Sequence, residues 1–185
     1  MQSVSILRQP FSRIGLGVLT LLLAMPIAGA QGLASSSGGS LKALAKVEAE
    51  VDQVTRVLDE IKLDELNVRY REGKFVEGNR SRALRYAALV RKQGAAYRRL
   101  QTLQGLFALS GALSGLERET DAVSSGLMRL ASELGGEAAT KPLNWSVRLD
   151  QPIDMLHKAS IAFDEEVLDI LARADDLLAR SSRAP

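Results

Sequence analysis

The residues whose types and spacing best suit chemistry are basic and lie near the middle of the chain. Between Arg69 and Arg99 the sequence has ten arginines and lysines but only two acids, Glu72 and Glu77. Tyrosine and phenylalanine lie among these cations, and basic residues interleaved with aromatic rings are typical of surfaces that bind nucleic acid. The ten are Arg69, Arg71, Lys74, Arg80, Arg82, Arg85, Arg91, Lys92, Arg98 and Arg99. The segment therefore predicts a locally basic surface.

Two hypotheses account for this basic run. The first is a face that binds an anionic partner. The second is compensation within the protein, because residues 42–65 carry a net charge of −3 and residues 150–180 carry one of −5. Helices of opposite charge beside the basic run would neutralise much of it, and exposed ion pairs of this kind each add little stability.

Metal and cofactor sites are not indicated. The single histidine, His157, follows Asp154 by three residues, so both can share a helix face, but di-iron bundles need two Glu-x-x-His motifs. A haem held by histidine and methionine is also not expected, since Met155 is too close to His157 to lie across the haem from it. A calcium loop is not expected either, because the acidic group of the last helix lacks the ligand spacing and the glycine of such a loop. This group is Asp164, Glu165, Glu166 and Asp169.

Enzymatic motifs are equally absent from the sequence. The chain has no cysteine, which excludes a thiol nucleophile, a thiolate zinc site and disulfide bonds. It contains no G-x-S-x-G, no Ser-x-x-Lys pair, no phosphate-binding glycine loop and no H-E-x-x-H. We therefore expect a protein that is not an enzyme and carries no cofactor.

The first 30 residues predict a secretory signal peptide. Arg8 and Arg13 form a basic start without acids, residues 14–25 are an apolar run, and Pro26 follows. Small residues end the segment, so cleavage is expected between Ala30 and Gln31. The alternative, an uncleaved membrane anchor, needs about 20 apolar residues, more than this run supplies. The leader predicts export to the bacterial periplasm, or secretion.

Removal of the leader changes the charge balance. The whole chain has a formal net charge of +2, and both charges of the leader are positive. Without its two arginines, 22 basic residues face 22 acidic ones. A field that steers the whole molecule onto nucleic acid or anionic lipid is therefore not expected, and together with export this disfavours a nucleic-acid partner.

The elements that must position these residues are helices. After a Gly/Ser-rich tether over 31–40, apolar residues recur at spacings of three and four, which is the seam of a packed amphipathic helix. The first seam is Leu44, Val47, Val51, Val54, Leu58 and Ile61. The second is Tyr86, Leu89, Gln93, Ala96, Leu100, Leu103 and Phe107. The third is Leu106, Leu109, Leu113, Leu116, Thr120, Val123, Leu127, Leu130 and Leu134. The fourth is Leu156, Ser160, Phe163, Val167, Ile170, Ala174 and Leu177, with Ile161, Leu168, Leu171 and Leu178 beside it.

Four such segments predict an all-α fold, an antiparallel up-and-down bundle with coiled-coil-like seams in a single domain over 41–185. Glycines place the first turn at 72–79 and Gly135-Gly136 after the third helix. The small residues 110–115 favour a break between the second and third helices, against one continuous helix over 80–134. A fourth helix is expected from Asp150 or Gln151.

Charges beside the first two seams predict how these helices align. Pairing Asp64 with Arg85 also brings Glu50 to Arg99 in an antiparallel pair, and centres the turn between Lys74 and Phe75. That position lies inside the glycine-containing turn. The charge pattern and the turn chemistry therefore indicate the same register.

Two further segments admit a structural and a functional interpretation. Residues 103–116 are apolar and contain Gly111-x-x-x-Gly115, which predicts a tight packing point or, alternatively, a membrane-contacting tip or self-association face. Residues 143–150 alternate apolar and polar side chains between Pro142 and Pro152. That pattern predicts an extended crossover that lays Trp145 and Val147 on the bundle, or a strand that pairs with a partner.

The sequence as a whole predicts an exported helical bundle that acts by binding another envelope protein or a second copy of itself. An adaptor, a chaperone-like protein or an accessory component of envelope or secretion machinery would fit. The candidate partner-binding residues are Trp145, Val147, Arg85, Arg91, Lys92 and Arg98. The alternative is a protein that associates with an anion or with anionic lipid through the basic second helix and residues 103–116.

Overall fold

The computed structural model describes residues 41–62, 66 and 69–181, and this part of the chain is all-helical, as predicted. Its helices are α1 (Lys42–Glu60), α2 (Arg71–Leu100), α3 (Leu103–Leu134) and α4 (Thr140–Ser181), with a 3-10 turn at Gly136–Ala139. The predicted signal peptide, its cleavage at Ala30 and Gln31, and the tether over 31–40 lie outside the described residues, so they remain predictions.

The four helices pack in a ring in chain order, because α1 contacts α2 and α4, and α3 contacts the same two helices. The start of α1 contacts the later part of α4, and the end of α1 contacts the beginning of α4. Glu166, late in α4, accepts hydrogen bonds from the backbone N–H groups of Lys42 (3.2 Å) and Ala43 (3.0 Å), while Glu60, at the end of α1, pairs with Arg148, early in α4. The helix pair is therefore antiparallel, and α2 and α4 occupy opposite corners of the ring.

The core contains the predicted seams of α1 and α3 and that of α4 as far as Ala174. All six residues of the first predicted seam are buried, including Ile61, which is the C-cap of α1. Every seam residue of α3 is buried except Leu134, which is half-buried.

In α4, Leu177 and Leu178 lie outside the described side chains. Ile161 and Leu168, predicted beside the seam of α4, are exposed instead. Phe163 is the largest fully buried side chain of α4, and its seam neighbours Leu156 and Val167 are buried with it. Large aliphatic side chains at spacings of three and four thus form the interior of α1, α3 and α4.

The predicted seam of α2 is wrong. Leu89 is 41% exposed and Leu100 is 69% exposed. The buried face of α2 consists of Gly73, Val76, Asn79, Ala83, Ala87, Val90 and Gly94. Most of these side chains are small, so a search for large apolar residues selects a different face of the helix.

The predicted register between α1 and α2 is wrong for the same reason. Arg91 donates to Asp52 (2.7 Å), and Arg98 pairs with Glu48, so the neighbouring Arg99 has no pairing with Glu50 in the part of the chain that the structure describes. Asp64, the other predicted acid, lies outside the described residues. The cations chosen for the α1 side were assigned from the wrong seam.

Both breaks around α2 also differ from the prediction. The segment predicted as a turn, 72–79, is the beginning of α2. The break before α3 lies at Gln101 and Thr102 rather than at 110–115. Gln101 adopts a left-handed conformation (φ 45°) with its N–H on Tyr97 O (2.8 Å), and the Thr102 hydroxyl caps α3 by accepting from Gly105 N (3.1 Å). The stretch 80–134 is therefore two helices.

The segment predicted as an extended crossover or strand, residues 143–150, is part of α4, which begins ten residues earlier than expected at Thr140. Pro142 lies in the first turn, where its missing N–H removes no helical hydrogen bond. Pro152 is inside the helix. An apolar–polar alternation over a few residues did not distinguish a strand from a helix here.

Candidate interaction surfaces

The basic run divides into cations with partners and cations without them. Arg82 donates to Glu119 of α3 (2.7 Å), and Arg91 and Arg98 pair with acids of α1. Arg80 donates to the carbonyl of Leu58 and lies 3.9 Å from the Asp59 carboxylate. Compensation by neighbouring helices therefore accounts for these four arginines.

Five cations of α2 remain. Together with the small residues that lie between them, they form a surface that we call the cationic face. The cations are Arg71, Lys74, Arg85, Lys92 and Arg99, and the small residues are Gly78, Ser81, Ala88 and Ala95. None of the five cations has a hydrogen bond or an ion pair with another residue that the structure describes.

The cationic face points directly away from the bundle core. Its members recur at spacings of three and four along α2, and all are exposed except the half-buried Gly78. The buried residues of α2, such as Ala83, Ala87 and Val90, fall on the opposite side of the helix. From Arg71 to Arg99 the stripe is about 42 Å long at about 1.5 Å per residue.

A second surface of opposite charge lies on the outer side of α4, and we call it the acidic face. Its acids are Asp150, Asp154, Glu165, Asp169 and Asp176, and its exposed apolar side chains are Val147, Ile161 and Leu168. Asp154 and Asp169 form ion pairs within the helix, with Lys158 (2.7 Å) and Arg173 (2.6 Å). Because α2 and α4 are at opposite corners, the cationic and acidic faces point in opposite directions.

The candidate residues named from the sequence are separated by the structure. Arg85 and Lys92 belong to the cationic face, whereas Arg91 and Arg98 are occupied by α1. Val147 is 67% exposed on the acidic face. Trp145 is half-buried against the core, and the guanidinium of Arg148 lies 4.5 Å from the centre of its ring.

Arg71, Lys74 and Arg99 were predicted as part of the basic run but were not named as partner-binding candidates. The acidic charge of residues 150–180 was also noted from the sequence, but no binding role was assigned to it. The signal was present in the spacing. Arg85, Lys92 and Arg99 are seven residues apart, as are Ser81, Ala88 and Ala95. A second heptad row made of cations and small residues marks the outer side of the helix.

A cluster of ionisable residues lies between α3 and α4. Burial raises the pKa of Glu117, against the opposing effect of the Ser160 hydroxyl and the His157 ring. Oε1 of Glu117 is buried and accepts no well-aligned hydrogen bond, although His157 Nδ1 lies 3.4 Å away. Burial also raises the pKa of Asp164, which lies 3.2 Å from the hydroxyl of Ser110.

This cluster does not form a nucleophile and base pair. Both of its serines are directed at carboxylates, Ser110 at Asp164 and Ser160 at Glu117, so neither has the contact to an imidazole that activates a hydroxyl. Within the described part of the chain, no group of three or more histidines and acids is placed to hold a metal ion.

Glu119 is the buried acid on the other side of α3. It lies between Arg82 Nε (2.7 Å) and an Arg118 guanidinium nitrogen (3.1 Å), and Arg82 also donates to Asn79. Burial by itself would raise the pKa of Glu119, but the hydrogen bonds from the two arginines outweigh it and lower the pKa. At the α2–α3 interface, the two arginines thus balance the charge of this buried carboxylate.

Comparison with protein-family models, with curated proteins and with solved structures finds no match to this chain. Over the residues that the structure describes, no helix has the length and apolar character needed to cross a membrane. The functional argument therefore rests on the surfaces of the bundle itself.

Proposed function

We propose that this chain is an exported, non-enzymatic helical bundle that works by binding another protein of the bacterial envelope or a second copy of itself. The cationic face of α2 is its main binding surface. The observation that carries the proposal is the contrast within one helix, where four arginines are matched by acids and five further cations have no partner among the residues that the structure describes.

The cationic face has the properties of a docking surface. Like charges repeated along one stripe repel each other, and no neighbouring helix neutralises them. A row of cations attracts an acidic partner and accelerates its association. The small residues between the cations leave room for side chains of that partner to approach the helix backbone.

Export to the periplasm rests on the predicted leader. An adaptor, a chaperone-like protein and an accessory component of envelope or secretion machinery all bind other proteins through such surfaces. Nucleic acid is not proposed as a partner, because the predicted destination lacks it. Neither a metal nor a cofactor has a part in the proposal.

Photo-crosslinking in the producing cell tests this proposal. A photoreactive amino acid replaces Ala88 on the cationic face, and in a matched control it replaces the exposed Ser125 of α3. We expect a discrete adduct from position 88 that the Lys92→Glu and Arg85→Glu double variant removes. Equal adducts from both positions, or an adduct unaffected by the charge reversal, would contradict the proposal.

The alternative function is association with an anionic membrane surface. It is favoured by exposed apolar side chains near the connection between α2 and α3. Leu100 directly follows Arg99, the last cation of the stripe, and Phe107 lies in the second turn of α3. The two glycines of the Gly111-x-x-x-Gly115 motif have different surroundings. Gly111 faces open space, whereas Gly115 is covered by the Tyr86 ring. Salt-sensitive co-sedimentation with anionic vesicles, lost on Leu100→Ser and Phe107→Ser, would support the alternative.

A further inference from the structure

We propose that the cationic face binds the acidic face of a second copy of this chain, so that copies join head to tail. This inference rests on the proposed function, since it takes the cationic face as the binding surface and adds a partner of known chemistry. That partner is the outer side of α4.

Charge complementarity is the first argument. The five cations of the cationic face have no ion pair with any residue in the described part of the chain, and Glu77 is the nearby acid on the same helix. On the acidic face, Asp150, Glu165 and Asp176 have no ion pair with any residue that the structure describes. Each face therefore offers the charges that the other lacks.

Shape complementarity is the second argument. Ile161 and Leu168 are 47% and 52% exposed and lie seven residues apart on α4. Ala88 and Ala95 are also seven residues apart and exposed on α2. Both spacings are about 10.5 Å along a helix, so two large apolar side chains of one copy match two small-residue gaps of the other, as in the packing of coiled coils.

The arrangement of the bundle determines the kind of assembly. The two faces point in opposite directions, so they cannot meet within one molecule, and a twofold dimer cannot satisfy both at once. A copy bound through its cationic face keeps its acidic face free for a third copy. Such a heterologous contact extends into a chain or closes into a ring.

Sedimentation of the purified protein, processed as the cell produces it, tests the inference. The salt concentrations are about 0.01 M and about 1 M, between which the Debye length falls from about 30 Å to about 3 Å. We expect the average mass to rise with protein concentration at low salt and to return to that of the monomer at high salt. A protein that stays monomeric under both conditions overturns the inference. The proposed function is then decided separately, by whether the adduct from position 88 contains a different protein or a second copy of this chain.

Two charge-reversed variants make the test specific. Variant A carries Arg85→Glu and Lys92→Glu, and variant B carries Glu165→Lys and Asp176→Lys. Variant A leaves three cations and two acids where the cationic face had five cations, and variant B leaves three acids and two cations where the acidic face had five acids. Each change removes most of the attraction between the two faces, so each variant alone is expected to be monomeric at low salt. A mixture of A and B is expected to assemble, because both contacts between unlike copies pair opposite charges.

Matched controls reverse exposed charges elsewhere in the bundle. Lys46→Glu with Arg56→Glu matches variant A, and Glu133→Lys with Glu137→Lys matches variant B. Both controls are expected to assemble as the parent protein does, and circular dichroism verifies that all variants keep their helices. Assembly of A or B alone, or a mixture that stays monomeric, would show that these two faces do not bind each other.

Discussion

Glu117 and Glu119 lie two residues apart on α3, yet they face different interfaces, and their pKa values are shifted in opposite directions. Glu119 points toward α2, where two arginines lower its pKa. Glu117 points toward α4, where burial raises its pKa and the nearest basic side chain is His157, whose Nδ1 lies 3.4 Å away. The α2–α3 interface is therefore matched in charge, and the α3–α4 interface is not.

The same two interfaces differ in packing. At the α2–α3 interface the ring of Tyr86 lies on Gly115, and Val76 and Phe75 lie against Gly126. At the α3–α4 interface two buried hydroxyls, those of Ser124 and Ser146, lie 3.1 Å apart. The comparison indicates that glycines of α3 let α2 approach it closely, whereas the α3–α4 interface contains a polar contact in its interior.

The largest expected effect comes from filling the close contact at Gly115. A Cβ there would lie under 3.0 Å from three ring carbons of Tyr86, so we expect Gly115→Ala to lower the free energy of unfolding by about 1–3 kcal/mol. Gly111→Ala is the matched control, since nothing lies within 4 Å of its Cβ. Its expected effect is a gain of up to about 1 kcal/mol from helix propensity. Urea unfolding measures both, and equal effects would show that the α2–α3 interface is not tightly packed.

A smaller effect is expected from neutralising the two buried acids. Glu119→Gln loses charge-assisted hydrogen bonds to both arginines, so the free energy of unfolding at neutral pH should fall by about 1 kcal/mol. Glu117→Gln removes a charge that burial disfavours, so stability should stay the same or rise. The same denaturation experiment compares them, and a loss of stability in Glu117→Gln would mean that His157 matches its charge.

The pH dependence of these two variants should have opposite slopes. The stabilisation by Glu119 is present above its unfolded pKa, near 4.5, and is lost as the pH falls through the lower pKa of the folded state. Glu117, with a raised pKa, stabilises the fold most below 4.5 and loses that contribution as the pH rises through the folded value.

Relative to the parent protein, Glu117→Gln should therefore gain stability as the pH rises, and Glu119→Gln should lose it. Unfolding measured across the range in which carboxyl groups titrate tests this. The groups of α4 that face Glu117 are His157 and Asp164, so the result is interpreted with the Asp164→Asn background as a control. Parallel slopes would remove the distinction between the two interfaces.

The smallest effect is expected at the rim between α1 and α2. Arg98→Glu breaks a pair with Glu48 that is partly exposed, which should cost about 0.5 kcal/mol. Arg99→Glu should leave stability unchanged, because Arg99 belongs to the cationic face. Thermal unfolding of the two variants decides whether the observed register holds, and a larger loss in Arg99→Glu would favour pairing with Glu50 instead.

The sequence predicts the fold well where large aliphatic residues mark the core. The seams of α1, α3 and α4 contain Leu, Val, Ile and Phe at helical spacing, so burial follows from the pattern alone. The same rule fails in α2, where Ala83, Ala87 and Gly94 face the interior and Leu89 and Leu100 face outward. In a close-packed interface, small size replaces hydrophobicity as the mark of the buried side.

Glycine is the second source of error. Gly73 and Gly78 suggested a turn, but Gly73 is buried in α2, and a Cβ at Gly94 would lie 2.8 Å from a carboxylate oxygen of Glu48. At Gly94, glycine provides space for a neighbour, whereas Gly135, with φ 63°, ends α3 where the sequence predicted a break. The candidate surface was found in part for the same reason, because the wrong seam assigned Arg85, Lys92 and Arg99 to the α1 side.

The carboxylate of Glu166 caps the first turn of α1 from a distant part of the sequence. The N-terminal amides of the first helix receive this cap from a residue more than 120 positions later, so the contact forms only after the chain has been synthesised past Glu166. A chain shortened before Glu166 would leave these amides to water, as at any helix start without a cap.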